Sequence, residues 1–135
     1  MTAPLLLDSG VWVATVDSDD PFEPASRRLI AARGRRLGAL DLTLYEVANV
    51  VGLKRRSPME AMSLCRSVEQ RCVEAFVRVD RELIDSTVAV VGEYGLTAYD
   101  AAYVAVARRR RWMLVSTDIR DLVSKGLAIT PDAAV

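Results

Sequence analysis

Four carboxylates stand at the ends of apolar segments in this chain, and they are the residues whose types and positions could do chemistry. Asp8 closes the run LLL, and Asp118 follows the run LVST. Glu46 and Asp100 lie in two mainly apolar segments, LTLYEVANVV and LTAYDAAYVAV. Side chains of this type serve as helix caps, as general bases or as ligands for hard cations.

The same acids also have an ordinary structural interpretation. Thr43-x-x-Glu46 and Thr97-x-x-Asp100 have the form of capping boxes, and the other two acids could cap the helices that follow them. The helix around Asp100 is apolar on all sides, however, so we expect it to be buried. A buried carboxylate is costly unless it is paired or bound to a metal, which favours a functional role for the set.

A divalent cation would remove the repulsion between acids that converge on one place. Carboxylate oxygens are the ligands that Mg²⁺ or Mn²⁺ prefers, and such ions can activate a water for phosphodiester cleavage. The chain has no histidine, which excludes imidazole catalysis, serine–histidine or cysteine–histidine nucleophiles and histidine-ligated zinc. Whether one ion or two is used stays open.

The elements that must position these acids alternate between short apolar strands and helices. Strands are predicted over 4–7, 37–40, 75–79 and 113–116, with a weak fifth over 127–129. Helices are predicted over 10–16, 24–33, 43–56, 58–72, 81–94 and 119–125, with another that Thr97 caps after Gly95 ends the preceding one. This alternation predicts an α/β fold with a parallel sheet covered on both faces, whose ligands bind beyond the carboxyl ends of the strands.

Composition limits the remaining classes. The 135 residues fit one domain, 1–135, and carry 18 basic and 18 acidic side chains, so no overall basic excess indicates nucleic acid. The longest segment without charge has eight residues, which excludes a membrane span, and no signal peptide is evident. Cys65 and Cys72 lie about 10 Å apart along one predicted helix, too far for a disulfide. We interpret them as buried thiols and expect a cytoplasmic protein.

Four segments together resemble a known family. LLLDSGVWV, LTLYEVANVV, LTAYDAAYVAVA and LVSTDIRDL, in this order over nearly the full length, resemble the PIN-domain ribonucleases and, within them, the VapC toxins of bacterial toxin–antitoxin pairs. The resemblance implies a three-layer α/β/α PIN-like fold around a central parallel sheet of four to five strands. It also implies endonucleolytic cleavage of RNA that depends on Mg²⁺, with Mn²⁺ as a substitute.

The resemblance assigns a role to each acid. Asp8 and Asp100 correspond to the principal metal ligands, and Asp118 would complete the metal site directly or through water. Glu46 would orient or deprotonate the attacking water, or bind a second ion. The family further implies a homodimer and a cognate antitoxin whose C-terminal segment blocks the acidic pocket.

Three further residues near these acids are candidates for hydrogen-bond donors behind the site: Ser9, Ser116 and Thr117. Asp121 is a nearby alternative to Asp118. Because Asp121 lies one turn into its predicted helix, we expect it to face solvent or to pair with Arg120 or Lys125.

An RNA substrate requires cations that offset the acidic pocket. Three basic clusters are available: Arg27, Arg28, Arg33, Arg35 and Arg36; Lys54, Arg55 and Arg56; and Arg108 to Arg111. The last cluster closes the Asp100 helix, where cations complement the dipole, and it lies about 12 to 16 Å from Asp100. Trp12 and Trp112 could stack bases, although Trp12 beside Asp8 is more typical of a core or dimer contact.

Other functional classes compete with the nuclease. A signalling receiver domain would have paired acids after the first strand and a lysine after the last, but Ser9 and Gly10 follow Asp8. A phosphatase that forms an aspartyl phosphate would have an acid where Gly10 stands. A PIN-like module that binds or processes RNA without a toxin role remains the main alternative.

Overall fold

The computed structural model describes residues 2–135 and places a sheet of four parallel strands between two layers of helices. The strands are β1 (Leu5–Leu7), β2 (Leu37–Leu40), β3 (Phe76–Val77) and β4 (Met113–Val115), and their order in the sheet is β3-β2-β1-β4. In the register, Leu5 of β1 pairs with Leu37 of β2 and with Met113 of β4. The predicted α/β class with a parallel sheet is confirmed.

Helices connect the strands in chain order. Between β1 and β2 lie α1 (Ser9–Ala14) and α2 (Glu23–Ala31). Between β2 and β3 lie α3 (Leu42–Val47), a π-helical segment that continues it (Ala48–Lys54), α4 (Pro58–Arg71) and a 3₁₀ turn (Val73–Ala75). Between β3 and β4 lie α5 (Arg81–Tyr94) and α6 (Ala98–Arg110). A second π-helical segment (Ile119–Val123) and α7 (Pro131–Ala134) follow β4.

The strands are apolar on both sides because both faces of the sheet are covered. Leu6 of β1 packs into the core that α5 and α6 form, whereas its neighbours Leu5 and Leu7 pack on the other face against α1 to α4. Adjacent strand residues point to opposite faces, so a strand buried on both sides reads as an uninterrupted run such as LLL. The predicted three-layer arrangement is confirmed.

The strand order fixes where a ligand can bind. The first two connections step from β1 to β2 to β3, and the third crosses back to place β4 on the far side of β1. The order therefore reverses between β1 and β4, and α/β proteins bind ligands beyond the carboxyl ends of the strands at such a point. Asp8 directly follows β1, while Ser116 and Asp118 follow β4.

The helix that carries Asp100 is positioned by strong local signals. Gly95 ends α5 with a left-handed backbone (φ 66°), a conformation that favours glycine. Thr97 caps α6, since its Oγ1 accepts a hydrogen bond from the Asp100 amide at 3.2 Å. All residues from Ala101 to Ala107 are buried, so the predictions of a capped and fully apolar helix are confirmed.

Several predicted elements differ from the structure. The strand predicted over 127–129 is reduced to a single parallel bridge between Ile129 and Val115. The strand predicted over 75–79 is confined to Phe76–Val77, and α7 was missed. The helix predicted over 43–56 starts one residue earlier, at Leu42, and changes to π geometry after Val47, with hydrogen bonds such as Arg55 N to Val50 O at 3.0 Å.

The sequence also led to predictions about the two cysteines and about membrane-spanning segments. Both cysteines are free thiols: Cys72 is buried, which raises its pKa to about 12, and Cys65 is half-buried. None of the helices within residues 2–135 is both long and apolar enough to cross a membrane.

Candidate functional site

Three carboxylates meet beyond the carboxyl end of the sheet. Oxygen atoms of Asp100, Asp118 and Asp121 all lie within 4.8 Å of one another, and each of the three residues is half-buried. Asp100 is in the first turn of α6, and the other two belong to the segment after β4. Asp121 was expected to face solvent or to pair with Arg120 or Lys125, and its pair with Arg120 at 3.8 Å confirms this. The same carboxylate also meets Asp100 and Asp118, as the alternative to Asp118 that the sequence offered.

The segment after β4 brings two of these acids together through a helix cap. The Asp118 carboxylate accepts a hydrogen bond from the Asp121 amide at 2.9 Å, so the capping interpretation of Asp118 is confirmed. The turn then continues with π-type bonds, including Val123 N to Asp118 O at 3.0 Å. Because an N-cap side chain folds over the first turn, it lies beside the side chain three residues later. The cap therefore brings together two of the three acids in the cluster.

Asp8 is connected to the cluster through Ser116. The Ser116 hydroxyl accepts a hydrogen bond from the Asp118 amide at 2.9 Å and donates a short one to Asp8 Oδ2. The other Asp8 oxygen accepts from the Gly10 amide at 3.0 Å and so caps α1, as predicted. Ser116 is thus a hydrogen-bond donor behind the site. Asp8 is not one of the three carboxylates that meet, but the Ser116 hydroxyl links it to them.

Gly10 has a steric role in this arrangement. A Cβ atom at position 10 would overlap the Thr117 hydroxyl and come within 3.3 Å of Asp8 Oδ1. Glycine lets the first turn of α1 approach the β4 end this closely without displacing the Thr117 hydroxyl. A second acid at this position, which an aspartyl-phosphate phosphatase would require, would have to displace that hydroxyl.

Glu46 is held by a buried network that the sequence did not reveal. Glu46 Oε1 accepts a hydrogen bond from the Tyr103 hydroxyl at 2.7 Å, and that hydroxyl lies 2.7 Å from Thr43 Oγ1. A hydroxyl has one proton, so Tyr103 donates to the carboxylate and Thr43 donates to Tyr103. The capping box predicted from Thr43 is wrong, because Thr43 is the second residue of α3 and its hydroxyl points into the core.

The electrostatics of the site favour a bound cation. Burial raises the pKa of Asp8 to about 7, even though its hydrogen bond from Ser116 acts in the opposite direction. Burial also raises the pKa of Asp100, and the negative charges of Asp118, Glu46 and Asp121 raise it further. The raised pKa values show that these carboxylates ionise at a cost, and a positive charge placed among them would lower that cost.

The residues present fit a hard divalent cation. The cluster offers carboxylate oxygens, the ligand type that Mg²⁺ and Mn²⁺ prefer, and Asp8 uses one hydrogen-bond partner per oxygen, which leaves lone pairs available. The ligand set inferred from the sequence was Asp8, Asp100 and Asp118. The structure brings Asp100 and Asp118 together with Asp121, whereas Asp8 lies outside that group and is linked to it through Ser116. The negative charge of Glu46 raises the pKa of both Asp8 and Asp100.

Arg36 of the first basic cluster and the run Arg108 to Arg111 lie at the other end of the sheet, where the strands begin. Arg36 directly precedes β2, and its carbonyl accepts from Leu5 N at the start of β1. Arg108 to Arg111 end α6 just before β4 begins, where Arg108 pairs with Glu93 and Arg109 with Glu82, each at 2.8 Å. The structural interpretation of the last cluster is therefore confirmed. Lys54 ends the π-helical segment, Arg55 and Arg56 follow it, and Arg55 approaches Asp17 at 3.9 Å.

Comparison with known proteins identifies the family. Residues 5–124 match the PIN domain. Ribonuclease VapC3 of Pyrobaculum aerophilum is 31% identical over 134 residues, which cover 94% of this chain and 98% of that protein. The chain belongs to the VapC-type PIN-domain ribonucleases. The family resemblance inferred from the four motifs is confirmed, and the receiver and phosphatase alternatives are set aside.

Solved structures agree with this VapC-type fold. PAE2754 from Pyrobaculum aerophilum superposes with a TM-score of 0.68 at 27% identity, covering 98% of this chain and 94% of its own. A toxin–antitoxin complex from Klebsiella pneumoniae gives a TM-score of 0.69 at 18% identity, covering 94% and 97%. The second similarity concerns the fold alone.

Proposed function

We propose that this VapC-type protein is an endoribonuclease toxin that requires a divalent cation, Mg²⁺ or Mn²⁺, and cleaves RNA phosphodiester bonds by attack of water. The observation that carries the proposal is the group of three carboxylates at the switch point of a PIN-domain sheet. The name of the relative ribonuclease VapC3 supports RNA as the substrate class.

Each acid has a distinct role in this proposal. Asp8, Asp100 and Asp118 would hold the cation, and Asp121 would offer a further oxygen ligand beside them. When bound, the cation supplies an acidified water and offsets the charge that develops on the phosphate. Glu46, fixed by Tyr103, accepts a proton from the attacking water or orients it.

Neutral hydrogen-bond donors keep the acids in place while the substrate binds. Ser116 and Gly10 hold the two oxygens of Asp8, and burial together with the nearby Glu46 charge keeps the pKa of Tyr103 well above its usual value. Tyr103 therefore remains a donor across the neutral pH range. An arrangement fixed before binding costs little reorganisation during reaction.

The proposal extends to partners. A cognate antitoxin that blocks the acidic pocket, and a homodimer of this chain, are what the toxin assignment implies, and the Klebsiella pneumoniae toxin–antitoxin complex supports the former through its shared fold. The carboxylates that would bind a cation would also attract a basic side chain of an antitoxin.

The biochemical test uses purified protein and structured RNA, with Mg²⁺, Mn²⁺ or EDTA. We expect cleavage with either ion and none in EDTA. Asp100→Asn should abolish cleavage with an unchanged circular dichroism spectrum, whereas Glu74→Gln, an exposed acid before β3 at the opposite end of the sheet, should not. Full activity of Asp100→Asn would contradict its assignment as a ligand. Binding of RNA without cleavage would favour the non-cutting module.

The toxin role is tested in cells. Expression without a partner should arrest growth, and Asp8→Asn should relieve the arrest at equal protein levels. Unimpaired growth with abundant wild-type protein would contradict toxicity while leaving the nuclease activity to be decided in vitro. A short DNA-binding protein encoded beside this chain, when co-expressed, should restore growth.

A further inference from the structure

Two exposed tyrosines flank the acidic site, and their position points to a contact with the substrate. We propose that Tyr45 and Tyr99 form a stacking cleft for one unpaired base of the RNA, and that Asn49 hydrogen-bonds to the edge of that base. The inference rests on the proposed nuclease function and specifies how the substrate is held.

The exposure of these side chains sets them apart from the other aromatic residues. Tyr45 is 79% exposed and Tyr99 is 61% exposed. The other six aromatic side chains, all within the described part of the chain, are buried or half-buried. Trp12 is fully buried in the core, as the sequence favoured over stacking, and Trp112 packs against Gly38 with Arg110 over its ring. The aromatic surface that is free to stack lies therefore on the two tyrosines.

Each of the two tyrosines is the direct sequence neighbour of an acid of the site. Tyr45 directly precedes Glu46 on α3, and Tyr99 directly precedes Asp100 on α6. Neighbouring residues on a helix are rotated by about 100°, so each ring lies beside its acid rather than over it. Two separate helices thus present a ring to the same side of the acidic site.

The two rings share one cavity with a catalytic candidate. A cavity of about 330 Å³ is lined by Tyr45, Tyr99, Glu46, Asn49 and Leu42. A volume of this size falls within the range of small-molecule sites. Because Glu46 lies on its wall, a base in this cavity would belong to a nucleotide next to the bond that is cut.

The chemistry of the lining favours a base over other parts of the RNA. The nearby carboxylates repel a phosphate, whereas a neutral base can stack on a phenol ring. Asn49 lies one helical turn after Tyr45 and is exposed, and its amide can both donate to and accept from a base edge. It lies in the π-helical segment Ala48–Lys54. Sequence-specific proteins read splayed-out RNA bases by this combination of stacking and edge contacts.

The test measures stacking and cleavage separately. The probe is a single-stranded RNA decamer with 2-aminopurine at one position and mixed bases elsewhere, whose fluorescence falls when the modified base stacks. Binding is measured in Ca²⁺, and cleavage of the same decamer in Mg²⁺. The variants are Tyr45→Ala, Tyr99→Ala, the corresponding phenylalanine substitutions and Asn49→Ala. Met59→Ala, an 80% exposed side chain on α4 outside the cavity, is the matched surface control.

We expect the wild-type protein to quench the fluorescence of the probe. Each tyrosine-to-alanine change should lower the affinity measured from this quenching by about 5- to 150-fold. The phenylalanine variants should bind like wild type, because they keep an aromatic ring at position 45 or 99. Met59→Ala should also bind like wild type, because it leaves both tyrosines unchanged. Asn49→Ala should retain quenching but reduce discrimination between bases. In cleavage, the alanine variants should raise KM more than they lower kcat.

Two results would overturn the inference. Equal quenching by wild type and both alanine variants would remove the tyrosines from the substrate site, and an absence of quenching by wild type would remove the base from the cleft. Neither result bears on whether the Mg²⁺ reaction cleaves the RNA, so failure of the cleft and failure of the nuclease proposal are recorded by different measurements.

Discussion

Replacement of Tyr103 by phenylalanine is the sharpest test of how Glu46 is positioned. The change removes one hydroxyl that lies 2.7 Å from both Glu46 Oε1 and Thr43 Oγ1 and leaves the ring in its buried place. A hydrogen bond to a charged group contributes about 1.5–3 kcal/mol to stability. We therefore expect Tyr103→Phe to lower the free energy of unfolding by about 2 kcal/mol in urea denaturation.

The same change should reduce catalysis more than substrate binding. Without Tyr103 as donor, the half-buried Glu46 carboxylate is free to rotate toward solvent. Loss of about 1.4 kcal/mol of transition-state stabilisation corresponds to a tenfold lower rate. We expect kcat to fall about tenfold or more with KM nearly unchanged, measured by RNA cleavage in Mg²⁺ below the melting temperature.

A double-mutant cycle with Thr43→Val separates positioning from stability. Thr43→Val keeps the bond from Tyr103 to Glu46, so kcat should change little. In Tyr103→Phe, the fully buried Thr43 hydroxyl loses its partner, and this defect disappears when both groups are apolar. The double variant should therefore recover stability relative to Tyr103→Phe but not kcat. A normal kcat in Tyr103→Phe, or a kcat that recovers together with stability, would refute the reasoning.

Three further predictions concern the acids and the cations. Burial raises the pKa of Asp8 from 3.8 to about 7, so the folded state binds the Asp8 proton more tightly than the unfolded state does. This proton binding contributes its full stability below about pH 4, and the contribution is lost as pH rises through 7. In EDTA, Asp8→Asn should therefore unfold at higher urea than wild type by a margin that grows from about pH 4 to pH 7; a constant margin would contradict the shift. Asp121→Asn should weaken Mn²⁺ binding in titration calorimetry by about tenfold or more, whereas unchanged affinity would return Asp121 to a solvent role. Arg120, 93% exposed beside Asp121, should contact an RNA phosphate, so Arg120→Ala should reduce the slope of log affinity against log salt by about 0.7, while Arg108→Ala, paired with Glu93, should not.

The candidate site residues that the sequence identified are those with a local signal. A carboxylate that ends an apolar strand or opens an apolar helix departs from its surroundings, and Asp8, Glu46, Asp100 and Asp118 were identified in this way. The sheet order was not accessible, because the pairing of β1 with β4 joins residues more than 100 positions apart. The switch point that brings the acids to one edge follows from that pairing.

The residues whose roles the sequence left open or missed depend on geometry that helical periodicity does not describe. Asp121 joins the cluster because the Asp118 cap folds over the turn and π-type bonds follow it, rather than because of a helical stripe. Thr43 matched a capping motif, but the helix begins one residue earlier at Leu42, which turns the hydroxyl inward. Its partner Tyr103 is 60 positions away, and no local pattern distinguishes this buried tyrosine from a core residue.

Capping, which the structure shows, and the proposed metal binding, which the sequence presented as an alternative to it, involve the same residues. Asp118 caps its helix through Oδ1, and Asp8 caps α1 through Oδ1 while Ser116 holds Oδ2. Each carboxylate oxygen has more than one lone pair, so a hydrogen bond from an amide leaves room for a cation. The caps also fix the side-chain rotamers before any ligand arrives, which lowers the ordering cost of binding. The interactions that stabilise the helix starts are therefore the means by which the fold holds its acidic oxygens in position.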